Sequence, residues 1–285
     1  MNGKIGSLFV VATPIGNLGD ITERAIAVLT QAALILAEDT RHTGKLLSHF
    51  GISTKTKSFH QHNERAHTPK IIGRLQAGED IALVSDAGTP LISDPGFCLV
   101  RAARTNGISV SPIPGASALT AALCASGLAT DRFCFEGFLP AKSQPRRQRL
   151  QQLRNENRTV VFYESSHRII ASLHAMAESF GQDREATIAR EISKKFETFY
   201  FGGIARLIAQ MEQNPRHQKG EFVIVVSASA RDAADANWDN AIRLLQSLIV
   251  EMPAKTACKI AGDTFGVNKN KLYRVALEDK NSDSG

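Results

Sequence analysis

Three short segments carry the residue types most able to build a binding site. They read Thr13-Pro14-Ile15-Gly16-Asn17-Leu18-Gly19-Asp20, Asp86-Ala87-Gly88-Thr89-Pro90 and Pro114-Gly115-Ala116-Ser117-Ala118. Each follows an apolar run, at residues 8–12, 81–84 and 108–113. Turns that leave the carboxyl ends of parallel strands gather on one sheet edge, where ligands of α/β proteins bind. Gly16, Gly88 and Gly115 lack a Cβ, so a flat ligand can approach the main chain. Exposed N–H and C=O groups could then read an adenine edge or an amino-acid zwitterion. The first turn lacks the Gly-Lys-Ser/Thr ending of a triphosphate loop and the Gly-x-Gly-x-x-Gly of a dinucleotide site. Any one of these segments alone would be read as a tight strand-to-helix turn; three on one edge point to a site.

Polar clusters lie at the same edge. Glu38, Asp39 and Arg41 follow the apolar run at residues 34–37. They read either as a helix cap with an ion pair or as a proton acceptor beside a cation. Glu164, His167 and Arg168 follow the run at residues 159–163, where Arg168 could hold Glu164 by a bidentate pair. His60, His62 and His67 sit near Asn63 and Glu64. His60 and His62 could share a strand face, but no convincing metal-ligand set accompanies them, and surface or RNA-contacting histidines are the expectation.

These segments need elements to position them. Apolar runs alternate with amphipathic helix patterns through residue 113, which predicts a mostly parallel sheet with helices on both faces. Strands are expected at 34–37 and 81–84, and helices at 45–50, 69–75 and 97–104. Asp20, three residues before Glu23, suggests a capping box. Pro112, Pro114 and Gly115 suggest a domain junction. Beyond it, strands at 133–138, 159–163, 186–189, 197–201 and 222–226 follow one another with less helix between, so a mixed second domain is expected. Helices fit 146–153, 167–180 and 204–211, although the basic stretch 142–149 also reads as a mobile loop; residues 229–236 read as a linker. The patterns at 254–265 and 268–277 flank Gly266-Val267 in a helix-turn-helix outline, with Ile260, Val267, Leu272 and Leu277 as its core. The expected domains are 1–114, 115–230 and 231–285.

Of the 285 residues, 43% are hydrophobic and 22% charged, which fits a folded core and argues against disorder. No apolar stretch is long enough to span a bilayer, and residues 1–7 carry no apolar signal core, so a cytoplasmic protein is expected. Cys98, Cys124, Cys134 and Cys258 are scattered without a Cys-x-x-Cys, which argues against a disulfide framework or a zinc site. The excess of 34 basic over 28 acidic residues, +6, fits a polyanionic partner. Its clusters are Lys142, Arg146, Arg147 and Arg149; Lys194 and Lys195; and Arg216 and Lys219. Lys269 and Lys271 stand on the terminal helical pair.

Taken together, the first two turns, Ala37-Glu38-Asp39-Thr40-Arg41, the extended stretch from Ser85 through Ser93-Asp94-Pro95-Gly96, Glu136-Gly137-Phe138 and Phe162-Tyr163-Glu164-Ser165-x-His167-Arg168 resemble the signatures of one family. It is the bacterial small-subunit rRNA 2′-O-ribose cytidine methyltransferases, within the tetrapyrrole-methylase-like superfamily. The resemblance implies a two-domain α/β fold of the class III methyltransferases with a small helical C-terminal module. It implies S-adenosylmethionine as donor in the cleft, a homodimer, and a cytidine ribose in the decoding centre of 16S rRNA as acceptor. By position, Pro14 and Gly16 would line the cleft through backbone. Gly88, Thr89, Pro90 and Ile92 fall on the superfamily's Gly-Asp-Pro donor loop. There Thr89 replaces the usual aspartate, and Asp86 is the nearest substitute. Ser117, Ala118, Tyr163, Glu164 and Gly220 would complete the donor site.

Under this reading Asp39, or Glu38, would take the proton of the ribose 2′-OH, a very weak acid. Arg41, Lys142, Arg146, Arg147, Arg149, Lys269 and Lys271 would contact RNA phosphates. Two alternatives stay open: a tetrapyrrole-type small-molecule methylase, and a non-catalytic RNA-binding protein. The basic clusters and the terminal module argue against the first, and a binder has no reason to hold the donor.

Overall fold

The computed structural model describes residues 5–229 and 233–282, with the side chains of 233–236 and 277–282 outside the description. Contacts divide the chain into two compact units, residues 1–150 with 159–227, and residues 151–158 with 228–285.

The larger unit holds two five-stranded sheets. The first is wholly parallel, in the order β3 (Thr56–Ser58), β2 (Leu34–Ala37), β4 (Ile81–Val84), β1 (Leu8–Val11), β5 (Val110–Ile113). Its central strands are apolar at successive positions because both faces are covered. Leu34, Leu36, Ile81 and Leu83 pack on one side with Phe59 and Ile71. Ile35, Ala37, Ala82 and Val84 pack on the other with Leu29 and Leu47. The side-chain alternation of a strand sends neighbours to opposite layers.

The helices over this sheet are α1 (Glu23–Gln31), α2 (Thr40–His49), α3 (Glu64–Gln76) and α4 (Phe97–Thr105). The expected box at Asp20 does not form. Thr22 caps α1 by accepting the N–H of Ala25, and Asp20 lies in a short 3-10 turn, Leu18–Asp20. α2 starts five residues before the expected position, because Asp39 caps it through the N–H of Arg41. α3 also starts early and runs through Pro69. Its first residue, Glu64, is buried and accepts the N–H groups of Gly96, Cys98 and Leu99 at 3.1, 2.7 and 3.3 Å. Glu64 therefore supplies the cap that Gly96 cannot give α4.

The second sheet is mixed, as the closely spaced strands suggested. Its order is β6 (Phe133–Phe138), β7 (Thr159–Ser165), β10 (Glu221–Val226), β8 (Glu185–Arg190), β9 (Thr198–Gly203), with only β6 and β7 parallel. α5 (Ala118–Ala125) leaves the end of β5 and packs on this sheet through Ala122 and Leu123, against Val161, Ala189, Val223 and Val225. The turn after β5 is thus where the chain passes from one sheet to the other. α7 (Ile169–Phe180) and α8 (Ile204–Gln213) also belong to this half.

The helix expected at 146–153 forms as α6, Ser143–Gln152, and it starts early enough to take in most of the stretch 142–149 that also read as a loop. Pro145 lies in its first turn, where the missing N–H costs nothing, and the Gln, Arg and Leu residues that follow favour helix.

In the smaller unit, α9 (Ala233–Leu248), α10 (Ala254–Phe265) and α11 (Lys269–Ser282) form a helical module. Gly266 closes α10 in the left-handed conformation at φ +64°, as a Schellman-type end requires. Its core is Ala241, Leu245, Ala257, Cys258, Ala261, Leu272 and Ala276, with Val267 packed alongside. Ile260 is not in it; at 39% exposure it lies off the 257–258–261 stripe of α10. Residues 230–232 of the expected linker, and the Leu277 side chain, lie outside the described residues.

Candidate active site

The three turns are stitched to one another. Thr13 and Gly88 exchange main-chain hydrogen bonds at 2.9 and 3.0 Å, a lone antiparallel bridge between the loops after β1 and β4. The Thr89 hydroxyl donates to the Ala116 carbonyl at 3.1 Å, joining the loop after β4 to the one after β5. Gly115 lies against Ala12, where a Cβ would come within 3.0 Å of the alanine methyl. Gly88 has φ +79°, and a Cβ there would meet Ile15 Cγ2 at 3.2 Å. Only glycine suits both that conformation and that spacing.

A cavity of about 520 Å³ opens between these turns and the second sheet, within the range of small-ligand sites. From the first sheet's edge it is lined by Ile15, Glu38, Asp86, Gly88, Thr89, Ile92 and Asp94. Ser117 and Ala118 lie at its floor, and Tyr163, Glu164, Gly220 and Glu221 come from the ends of β7 and β10. The Tyr163 hydroxyl accepts the N–H of Leu119 at 3.1 Å, and its ring packs edge-on against Phe135 and Phe138. Burial pushes the phenol up from its ordinary value.

Most of the expected donor residues meet here: Asp86, Gly88, Thr89, Ile92, Ser117, Ala118, Tyr163, Glu164 and Gly220. Three do not. Pro14 and Gly16 face a neighbouring pocket of about 260 Å³, while Ile15 between them faces the cavity, as alternation along an extended turn requires. Pro90 is buried behind Thr89. Glu164 is an anchor more than a wall. Its carboxylate accepts the Ser172 hydroxyl at 2.6 Å, the Ser165 N–H at 2.8 Å and one Arg168 nitrogen at 2.8 Å. The expected bidentate pair is not formed, because Arg168 spends its other nitrogens on the Leu139 carbonyl and the Ser165 hydroxyl.

The carboxylates separate into two environments. Asp39 points outward as the cap of α2 and pairs with Arg41 at 2.8 Å. The guanidinium holds its carboxyl well below the usual carboxylate range. Glu38 lines the cavity, and burial, followed by the charge of Asp86, pushes it up. Asp94 lines it too and is pushed up to about 6 by burial and by the charge of Glu38. Asp94 was passed over in the sequence, where it stood among the residues of a motif with nothing to mark its burial. The loop that carries it holds Leu91 and Ser93 at φ +71° and +72°, strain of the kind found at functional sites.

Residues 191–197 cross from the second sheet onto the first turn. Lys194 bridges Glu191 and Glu221 at 2.9 and 2.7 Å and lies over Gly16, where a Cβ would collide with its side chain. The Ser193 hydroxyl donates to Asp20. Lys194 is thus a structural cation. Of the expected RNA contacts, Arg41, Lys142, Arg147 and Arg149 are exposed on the larger unit, with Arg41, Arg147 and Arg149 paired to Asp39, Glu178 and Glu136. Arg146 is not available: it is 7% exposed on the inner face of α6, donating to the Ala141 carbonyl. Lys269, paired with Asp263, and Lys271 stand on α11 of the smaller unit.

Residues 7–208 match the family model described as tetrapyrrole (corrin/porphyrin) methylases, and residues 235–280 match the RsmI C-terminal HTH domain. Among solved structures, uroporphyrin-III-C-methyltransferase from Thermus thermophilus aligns with TM-score 0.55 at 19% identity, over 78% of this chain and 94% of that one. A diphthine synthase aligns with TM-score 0.58 at 16% identity, over 78% and 89%. The chain is 49% identical to ribosomal RNA small subunit methyltransferase I of Pasteurella multocida, over 98% of this chain and 99% of that one. It is 52% identical to the protein of the same name from Pseudomonas aeruginosa, over 96% and 97%. With its tetrapyrrole-methylase fold and its terminal helical module, the chain belongs to the ribosomal RNA small subunit methyltransferase I family.

Proposed function

We propose that the protein transfers the methyl group of S-adenosylmethionine to the ribose 2′-oxygen of a cytidine in 16S rRNA. The observation that carries this is the stitching of three side-chain-poor turns into one cavity, in a chain about half identical to proteins named for small-subunit rRNA methylation. The cavity fits the donor. Gly88 brings a wall without a side chain, and Tyr163 and Ile15 offer apolar faces to a flat base. Gly88, Thr89, Ser117, Ala118, Tyr163 and Gly220 would hold it. When bound, S-adenosylmethionine supplies an electrophilic methyl on a sulfonium.

The remaining work falls to the chain. The Thr13–Gly88 bridge and the Thr89–Ala116 bond fix the floor before ligand arrives, so little order is lost on binding. A cavity carboxylate would take the 2′-OH proton as the 2′-oxygen takes up the methyl group, whose bond to the sulfonium sulfur breaks to leave S-adenosylhomocysteine. Glu38 and Asp94 suit that role better than Asp39, because both face the cavity and burial raises both. Asp39 is committed to Arg41 and to the helix. Arg41, Lys142, Arg147 and Arg149 on the surface contribute phosphate contacts.

The substrate is the small ribosomal subunit or its rRNA, which supports a cytoplasmic enzyme. The family motifs support a homodimer, which light scattering would check. Tritium transfer from labelled donor to unmodified small subunits tests the reading. Labelled cytidine ribose is expected; transfer to a porphyrin acceptor instead, or to neither, refutes it.

A further inference from the structure

Beside the cavity lies the second pocket, about 260 Å³, between the first turn and the start of α2. It is smaller than the ~300–1,000 Å³ of sites that enclose a whole drug-sized ligand. It shares one wall residue with the cavity, Asp86, whose Oδ1 is fixed by the N–H of Asp39 at 2.9 Å. A group seated in one pocket therefore meets a group seated in the other at that carboxylate.

The walls have the mixed character that a single nucleoside needs. Pro14, Leu18 and Leu46 are apolar and suit the face of a base. Thr13 and Ser85 have hydroxyls already donated, to the carbonyls of Ser85 and Ala87. Thr43 is the exception. It is 2% exposed, its hydroxyl is buried, and that oxygen has no hydrogen-bond partner among the described residues. A buried hydroxyl without a partner is costly, and a ligand that pairs with it removes the cost. His42 and Lys45, also on the walls, are exposed cations or potential cations, and Arg41 precedes them on the same helix turn. They suit the phosphates that flank an extruded nucleotide.

We propose that this pocket seats the acceptor, a pyrimidine ribonucleoside swung out of the RNA, with its base edge on Thr43 and its ribose 2′-oxygen at Asp86. This rests on the reading of the larger cavity as the donor site. The half-sized volume suits one nucleoside better than a macrocycle.

The test compares wild type with Thr43→Val, Thr43→Ser and Lys45→Glu in methyl transfer to unmodified small subunits, with S-adenosylhomocysteine binding measured by calorimetry. Thr43→Val and Lys45→Glu are expected to lower kcat/KM for subunits at least tenfold, while donor-product affinity stays within twofold. Thr43→Ser, which keeps the hydroxyl, is expected to retain most activity. Unchanged transfer in both Thr43→Val and Lys45→Glu overturns the assignment while leaving the donor site intact. Loss of S-adenosylhomocysteine affinity in step with transfer also overturns it, since the pocket would then belong to the donor. Failure of the wild type to methylate subunits takes down the parent reading, and this one with it.

Discussion

The main-chain N–H of Asp39 donates to Oδ1 of Asp86 at 2.9 Å, tying the end of β2 to the end of β4. This bond gathers Glu38, Asp86 and Asp94 at one corner of the cavity and turns the Asp39 side chain outward onto Arg41. Two adjacent acidic residues thereby acquire opposite environments. One is raised by burial and the other is lowered by its guanidinium partner.

Replacing the inward carboxylates should separate chemistry from binding. Glu38→Gln and Asp94→Asn are each expected to cut single-turnover transfer at saturating donor by about 10²-fold, the usual scale of general-base loss, with S-adenosylhomocysteine affinity nearly unchanged. Asp39→Asn should cost much less turnover. It should instead lower the melting temperature, because α2 loses a charged cap and Arg41 its partner.

The pH dependence has a definite sign. Proton acceptance needs the ionised form, so kcat should fall as pH drops through about 6, the value to which Asp94 is pushed. Glu38 and Asp94 interact, so the observed midpoint belongs to the pair. Stability runs the other way. The folded state holds the Asp94 proton more tightly than the unfolded chain, so this group's contribution is present below pH 3.8 and lost as pH rises to about 6. Asp94→Asn should therefore raise stability at pH 7.5, by about 1 kcal/mol once solvent screening of this partly buried group is allowed for. Thermal melts at several pH values check it.

Glu64 should matter to the fold without touching ligand. Its carboxylate accepts N–H groups of Gly96, Cys98 and Leu99 from a buried position. Glu64→Ala leaves those donors unpaired, at a cost of about 2–3 kcal/mol. Denaturant unfolding measures it, and Glu64→Gln should recover part of the loss.

Much of this was legible in the sequence. The bounds of β2, β4, β6 and α10 follow directly from apolar runs and their punctuation. β3 was not visible, because Thr56, Lys57 and Ser58 form a short polar edge strand held only by β2. α6 was expected from Arg146, and only its first turn was hidden, by Pro145 and the polar residues around it. The convergence of Gly88, Thr89 and Ser117 could be inferred from strand ends, whereas the division between Glu38 and Asp39 could not. That division is decided by which side chain the Asp86 bond turns inward, a tertiary fact. Arg146 and Lys194 misled for the same reason: charge in a sequence does not reveal whether the cation is buried or already paired.

The central claim is that the stitched turns hold the donor. Calorimetric titration of S-adenosylhomocysteine into wild type and Gly88→Arg tests it most directly. The bulky side chain at φ +79° fills the floor beside Ile15, so the account predicts one site per chain in wild type and loss of binding in a variant that still shows native circular dichroism. Equal affinity in the two folded proteins would contradict it.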